Sequence, residues 1–245
     1  IASNGDITAS NALLSGGNLS AAASGDISYA LLQSLANASL TTPGSISYTN
    51  NSNVTGNLTI DTGTIDLSGT RGLKLAVGGT LAVTATSANL TGSSLILGGL
   101  TLNLSGQADL TGAKVKTATN AGGSGDIAIT AAGLTASDTT TLLAAHDLTL
   151  TLPTLTNSGQ LAAGNNLSIS TSGDLSNTST GLLYAGNNAS LLVAGTLTND
   201  QGAILAGNDL TIAGSSLGQR NGATTNISGL IQAGGDISIL PSNLT

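Results

Sequence analysis

Apolar and polar residues alternate along this chain in short runs that are separated by sharp breaks. Residues 167–170 (Leu-Ser-Ile-Ser) show the period of two that is typical of a β-strand with one buried face. The runs end in glycine, asparagine or aspartate, which we expect at corners because they tolerate the positive φ of tight turns. No run has the i, i+3, i+4 spacing of an amphipathic helix. The pattern therefore predicts short strands joined by corners.

The runs also recur at a regular interval. Residues 161–169 (Leu-Ala-Ala-Gly-Asn-Asn-Leu-Ser-Ile) return in similar form at 184–191 and at 205–212. Their shared glycine stands at positions 164, 186 and 207, so successive copies are almost evenly spaced. A period of about 20 residues indicates a solenoid, in which stacked coils bury aliphatic side chains that one coil cannot bury alone. We predict an all-β fold, a single-stranded parallel β-helix of roughly 11–12 coils of about 20–22 residues.

The repeat predicts the domain organisation. We expect residues 1–245 to form one continuous β-helix that was excised from a longer chain, because no initiator methionine or signal-peptide pattern is present. The rhythm loosens near residues 29–53 and again at 215–229. In the second stretch the corner glycine moves from 207 to 234, so we expect a loop of about five or six extra residues.

A second recurring element is Leu-Thr/Ser-Asn, which ends at Asn157, Asn177 and Asn199. Stacked coils would place these asparagines above one another. We therefore predict a ladder in which their side-chain amides hydrogen-bond along the axis of the solenoid.

Composition narrows the function classes. The net charge is −7, which disfavours a nucleic-acid partner. There is no cysteine, all 12 acidic residues are aspartate, and a single histidine is present. The hydrophobic fraction of 40% with only 7% charged residues argues against disorder. No apolar run approaches the roughly 18 residues of a membrane span, so we predict a chain that does not span a membrane.

Candidate sites are few. An insertion in a solenoid forms a surface loop, often on the binding face, which makes Gln219, Arg220 and Asn221 candidates for surface binding. Four further basic residues are read as scattered solvent-facing positions. They are Arg71, Lys74, Lys114 and Lys116. Residues 122–126 (Gly-Gly-Ser-Gly-Asp) are similar to a calcium repeat, but the motif does not recur in tandem.

We predict no catalytic, cofactor or metal residue. His146 takes the place of a corner glycine and is adjacent to Asp147, and we interpret it as a surface turn residue because no motif positions a catalytic partner beside it.

The repeats resemble a known family. Residues 206–212 (Ala-Gly-Asn-Asp-Leu-Thr-Ile), with Leu-Thr-Asn-x-x-Gly between copies, are similar to the haemagglutinin repeats of the filamentous haemagglutinin family, which includes the contact-dependent growth inhibition toxins. The resemblance is clearest over residues 155–212. It implies a right-handed β-helical rod that is exported through an outer-membrane two-partner secretion transporter. The Asn-Pro-containing motifs of the family's secretion domain are absent, which implies a segment of the shaft.

The expected function is therefore a rod-like shaft segment of a secreted bacterial cell-surface exoprotein. It would act in adhesion to a receptor or glycan on a host or neighbouring cell, or as the stalk of a receptor-binding or toxin domain. One alternative is a polysaccharide-degrading enzyme, for which Asp61 and Asp66 are the acidic residues to examine. The other is a glycan- or ice-binding surface, which the outward residues Thr149 and Thr151 suggest locally.

Overall fold

The computed structural model describes residues 1–69, 74–119 and 122–244. Over these ranges the chain is an all-β, right-handed parallel β-helix, and no α-helix occurs in them. None of the described segments is a helix long and apolar enough to cross a membrane. The predicted fold class is confirmed.

The amino-terminal strands are long because several continue around a corner. They are β1 (Ala2–Ser3), β2 (Ile7–Ser15), β3 (Leu19–Ala23), β4 (Ile27–Ser34), β5 (Ala38–Tyr48), β6 (Ser52–Val54), β7 (Leu58–Asp66), β8 (Leu75–Asn89) and β9 (Ser94–Leu104).

The later strands are shorter. They are β10 (Gln107–Asp109), β11 (Lys114–Thr117), β12 (Ile127–Thr130), β13 (Gly133–Thr135), β14 (Thr141–Ala144), β15 (Leu148–Leu152), β16 (Leu155–Asn157), β17 (Gln160–Ala163) and β18 (Leu167–Thr171). The last group comprises β19 (Leu175–Thr178), β20 (Leu182–Ala185), β21 (Ala189–Val193), β22 (Thr196–Asp200), β23 (Ala203–Ala206), β24 (Leu210–Ala213), β25 (Ala223–Ile227), β26 (Leu230–Ala233) and β27 (Ile237–Ile239).

Each coil contributes one strand segment to each of three faces. In one coil, residues 148–152 lie on what we call the third face, residues 155–157 on the first face and residues 160–163 on the second face. The strands of a face pair in parallel with those of the next coil. The first face is interrupted between β13 and β16, and it continues as a separate four-stranded sheet, β16-β19-β22-β25.

The number of turns can be counted along the third face. One inward position is occupied in successive coils by Leu19, Ala38, Leu58, Leu81, Leu100, Ile127, Leu148, Leu167, Ala189, Leu210 and Ile237. This column spans about ten turns, slightly fewer than the number predicted. The difference arises because coil length is not constant. The coils from Leu100 to Ile127 and from Leu210 to Ile237 are clearly longer than the coil from Leu148 to Leu167.

The core is one aliphatic column along the axis. Leu167 is 1% exposed, whereas the neighbouring Ser168 points outward and is only half-buried. The inward and outward positions therefore follow the predicted alternation. Tyr29 and Tyr48 are also inward and stack with ring centroids 5.9 Å apart. Burial raises the pKa of both phenols, that of Tyr48 to about 12 with a smaller contribution from the charge of Asp66.

The two stretches predicted to be irregular behave differently. Residues 29–53 keep the coil register, since Ile27 pairs with Ile46 of the next coil. The irregularity is a register shift between Thr42 and Ser45, and the apparent loss of rhythm comes from tyrosine, serine and threonine at inward positions. In the second stretch an insertion is present as predicted, and it occupies residues 214–222 between β24 and β25.

The corner glycines are required for a different reason from the one the sequence suggests. At Gly186, Gly207 and Gly234 φ is not positive. A Cβ atom at Gly186 would lie 2.1 Å from the carbonyl oxygen of Gly164 in the coil below, and one at Gly207 would lie 2.1 Å from that of Gly186. Close approach of stacked backbones therefore selects glycine here.

Candidate functional site

The third face presents an array of hydroxyl groups. One outward position is Ser or Thr in nine of eleven successive coils. The column is Ser20, Ser39, Thr59, Ala82, Thr101, Ala128, Thr149, Ser168, Ser190, Thr211 and Ser238. Thr149 and Thr151 are both exposed, as predicted. At a strand spacing of about 4.8 Å, the face offers regularly spaced hydroxyls to a flat or extended ligand.

The corner between the second and third faces is built on aspartate and asparagine. We call this the Asx corner, and its residues in the later coils are Asp126, Asp147, Asn166, Asn188, Asp209 and Asp236. The Oδ1 atom of each of the first five accepts a hydrogen bond from the backbone N–H of the next member, over distances of 2.9 to 3.3 Å. The same ladder runs from Asn18 through Asn37 to Asn57. The side chains thus satisfy backbone donors that the corner takes out of the sheet.

The residue directly before an Asx-corner member forms a second ladder at the same corner, nearer to solvent. His146 occupies this position in one coil, and Asn165, Asn187 and Asn208 occupy it in the following coils. The backbone N–H of Asn165 donates to the carbonyl of His146 at 2.8 Å, and the series continues upward with the same geometry. The imidazole therefore replaces an amide within a regular ladder.

His146 forms a compact cluster with Asp126 and Asp147. Its Nδ1 atom lies 2.9 Å from Oδ1 of Asp126 and 3.6 Å from Oδ2 of Asp147. One ligand atom from each of the three residues lies within 4.8 Å of the other two. The side chain of His146 is 49% exposed and that of Asp126 is 40% exposed, so the cluster opens to solvent. Among the described residues this is the group whose atoms could hold a metal ion.

The electrostatics agree with the contacts. The hydrogen bond to Asp126, together with the charges of Asp147 and Asp126, raises the pKa of His146 above its usual value. Desolvation alone would raise the pKa of Asp126. The N–H of Asp147 and the contact with His146 outweigh it, and the pKa of Asp126 is lowered. The cluster therefore favours a positive charge between two carboxylates.

The predicted asparagine ladder is confirmed, and it lies inside the solenoid on the first face. Nδ2 of Asn157 donates to Oδ1 of Asn177 at 2.8 Å, Asn177 donates to Asn199 at 2.8 Å, and Asn199 donates to Asn226 at 2.7 Å. Asn157, Asn177 and Asn199 are fully buried. These three are out of reach of a ligand, so this part of the ladder is a structural element.

The predicted surface loop is present, and its three candidates differ in exposure. Gln219 and Arg220 are exposed, and Arg220 Nη1 donates to the carbonyl of Pro241 at 2.7 Å. Asn221 differs from the prediction because only 1% of it is exposed. Its amide donates to Ala223 O and Thr224 Oγ1, so it anchors the start of β25. A surface-binding role for Gln219 and Arg220 stays a prediction.

The other singled-out residues are not brought together. Lys74, Lys114 and Lys116 are exposed, while Arg71 lies outside the described residues. Asp61 lies on the third face, in register with Thr84, and Asp66 lies on the first face, in register with Asn89. A shallow groove on the first face includes Asp66, Asn89 and Asp109, but Oδ1 of each is engaged by a backbone N–H two residues ahead.

The Asp126–His146–Asp147 cluster is the feature that interpretation of the sequence missed. Asp126 precedes His146 by about one coil. Looking one coil before and after each candidate residue would therefore have paired the two. Counting places Asp126 beside His146, but it does not show that the side chains of Asp126 and Asp147 both face the imidazole.

Comparisons with known proteins are negative: no family model, no curated protein and no solved structure matches this chain. The resemblance of residues 155–212 to haemagglutinin repeats therefore depends on the repeat sequence itself.

Proposed function

We propose that this chain is a rod-like shaft segment of a secreted bacterial cell-surface exoprotein of the filamentous haemagglutinin type. The observation that carries the proposal is the continuous aliphatic column, which extends through about ten stacked coils. At about 4.8 Å per coil this gives a rod on the order of 50 Å long. A solenoid of this kind holds whatever it carries at a distance from the surface to which it is attached.

The pattern of contacts supports export followed by folding at the cell surface. Pairing in the sheets joins residues that are about one coil apart in sequence, so each coil contacts mainly the coils next to it. Such a chain folds by adding coils to those already formed. The absence of cysteine means that no disulfide has to form during this process. The partner implied by the repeat sequence is an outer-membrane two-partner secretion transporter.

The surface supports a role without catalysis. Asp61 and Asp66, the acidic residues to examine for catalysis, lie on different faces, and the grooves beside them are shallow. The shaft would serve adhesion, the presentation of a receptor-binding or toxin domain, or both.

Export is tested by fusing residues 1–245 behind a two-partner secretion domain and measuring the exposed chain on cells with and without the cognate transporter. We expect transporter-dependent, protease-resistant surface exposure and an elongated particle in small-angle scattering of the purified chain. Ser168→Asp should be exported and folded as the parent is, whereas Leu167→Asp should be degraded. A compact particle, or exposure that does not depend on the transporter, would contradict the proposal.

A second candidate function is supported by the hydroxyl column of the third face, which would suit a glycan chain or an ice surface. The test is glycan-array binding and thermal hysteresis of the isolated chain. Thr149→Lys with Thr151→Lys should abolish either activity, because both side chains lie on that face. Thr156→Lys, an exposed residue of the first face, is the matched control. If neither activity is measurable in the parent chain, this candidate is excluded.

A further inference from the structure

We propose that Asp126, His146 and Asp147 form a binding site for a divalent transition-metal ion, with Zn²⁺ as the best fit. This site is independent of the proposed shaft function. The ligands would be Nδ1 of His146 and one carboxylate oxygen from each aspartate. Metal–ligand bonds of about 2.0–2.2 Å at angles of about 90–109° separate two ligand atoms by about 3.0–3.4 Å. The separations of 2.9 and 3.6 Å at His146 Nδ1 are close to these values without any movement of the backbone.

The backbone around the cluster is held in place. The N–H of His146 donates to Gly125 O at 3.1 Å, and the N–H of Asn165 donates to His146 O at 2.8 Å. The neighbouring Gly125 has a φ of +79°, which a residue with a side chain rarely adopts. Thr117 also hydrogen-bonds through its hydroxyl to Gly125 O. Three ligand residues from two adjacent coils are therefore fixed before any ion arrives.

Contacts outside the three ligands orient the carboxylates. Oδ1 of Asp147 accepts from Asn166 N at 3.0 Å and from Asn165 Nδ2 at 2.8 Å, which leaves Oδ2 directed towards the imidazole. Oδ1 of Asp126 accepts from Asp147 N at 3.1 Å. Hydrogen bonds of this kind position the ligands of natural metal sites.

The donor set selects the class of metal. One imidazole nitrogen with two carboxylates suits Zn²⁺ and neighbouring divalent transition ions, whereas Ca²⁺ and Mg²⁺ take oxygen ligands only. Three protein ligands in an exposed corner also leave coordination positions for water or for a group from another molecule.

Binding requires a change of tautomer at His146. Without metal, Nδ1 is placed to donate to Asp126, and Nε2 lies 3.3 Å from Asn165 Nδ2, which can donate to it. The metal takes the lone pair of Nδ1, and the proton of the neutral ring moves to Nε2. The Asn165 side-chain amide keeps its hydrogen bond to Asp147 Oδ1, and the new Nε2–H donates to solvent.

The site is specific to one coil of the ladder. At the next steps of the same corner the imidazole is replaced by Asn165, Asn187 or Asn208, whose amides do not bind Zn²⁺ in this way. Asn208 is followed by Asp209, and the Asx member below it is Asn188. Only two substitutions, Asn188→Asp and Asn208→His, would therefore reproduce the three ligands at another coil.

The experiment titrates the intact, chelator-treated chain with ZnCl₂ by isothermal calorimetry and follows the His146 ring by NMR. We expect one Zn²⁺ per chain, a shift centred on Nδ1, and no competition from excess CaCl₂. His146→Asn and Asp126→Asn should each weaken binding at least about tenfold. His146→Asn installs the residue that other coils carry at this position, so circular dichroism and melting without zinc should match those of the parent.

Failure has three definite forms. A Kd weaker than about 1 mM for the parent chain would overturn the proposal. Equal affinity in the parent, His146→Asn and Asp126→Asn would also overturn it, because the ion would then lie elsewhere. Finally, Asn188→Asp with Asn208→His in the His146→Asn background should restore binding. A folded protein that does not regain it would refute the claim that the corner geometry builds the site.

Discussion

The amino-terminal and carboxy-terminal halves of the solenoid share one core but close the same corner in two ways. The corner joins the first face to the second. In both halves, the first-face strand of each coil ends in an inward side chain, and the residues after it form the turn into the second face. This side chain is Tyr29, Tyr48, Leu67, Leu90 or Leu110 in the first half, and Asn157, Asn177, Asn199 or Asn226 in the second.

In the first half, three of these five turns are capped from outside. Oδ1 of Asp66, Asn89 and Asp109 accepts the backbone N–H two residues ahead, at 2.9 to 3.0 Å. The inward leucine that follows is fully apolar. Gly92 and Gly112 complete two of these turns with φ values of +62° and +66°.

In the second half the turn is capped from inside. Nδ2 of Asn177 donates to Gly181 O at 3.1 Å, and Asn199 donates to Gly202 O at 3.1 Å, while the same amides build the ladder. Ser179, Gln201 and Ser228 adopt positive φ in place of glycine. A corner thus needs its polar backbone groups satisfied, and either an outward Asp or Asn side chain or a buried asparagine amide meets this need.

We expect the largest loss of stability from a charge placed in the shared core. Leu167→Asp and Leu81→Asp each place a carboxylate in the apolar column, and we expect each to lower the free energy of unfolding by several kcal/mol, enough to prevent folding of the affected coils. Both leucines are at most 1% exposed. Ser168→Asp should leave denaturant unfolding nearly unchanged. Equal effects of the Leu167 and Ser168 substitutions would refute the assignment of inward and outward positions.

The next largest effect is expected when the inward residues of the two corner types are exchanged. Asn177→Leu leaves the amide oxygen of Asn199 and the carbonyl of Gly181 without this donor, and we expect a loss of about 2–4 kcal/mol. Leu90→Asn buries an amide with no ladder to join and should cost a similar amount, about 2–4 kcal/mol. Both are measured by urea unfolding. A neutral result for Leu90→Asn would show that the first half can accept the inner cap as well.

A smaller effect is expected when only the outward Asp or Asn side chain that caps a first-half turn, the outer cap, is removed. Asn89→Ala removes the acceptor of Thr91 N and should lower stability by about 1 kcal/mol in the same unfolding measurement. The control is Thr198→Ala, the equivalent outward position in the second half, where Asn199 caps from inside. We expect the control to lose clearly less. If both lose the same, the two corners do not differ in the way described.

The smallest effect is a pH dependence of the outer cap at Asp109, which the inner asparagine cap should not show. Hydrogen bonds from Thr111 lower the pKa of Asp109 below its usual value of 3.8. Because the folded-state pKa is the lower one, this cap contributes fully above about pH 3.8 and is lost as the pH falls through the lowered value. NMR titration of the Asp109 carboxyl and the Thr111 amide measures it. Asp109→Asn should abolish the response, and the Gly181 amide, in a turn capped by the Asn177 side chain, should not show it.

Much of the fold follows from local pattern. Alternation of apolar and polar residues places Leu167 inward and Ser168 outward, and the repeat of Leu-Thr/Ser-Asn predicts the asparagine ladder, although not its burial. The outer cap was missed although it has a signal, since residues 66–69, 89–92 and 109–112 share the pattern Asp/Asn-Leu-Ser/Thr-Gly. The reason for glycine at 186 and 207 could not be predicted, because it depends on how closely two stacked carbonyls approach.

The sequence by itself determined that this chain is a column of stacked coils, because strand periodicity and a regular repeat are local properties that leave the aliphatic side chains one common place to be buried. Only the tertiary structure decided which polar residues meet. Coil length varies between the short step from Leu148 to Leu167 and the long step from Leu210 to Ile237, so the partner of a side chain one coil away cannot be counted from an average period. For His146 the 20-residue step back to Asp126 does match the period, but only the folded corner shows that both carboxylates face the imidazole.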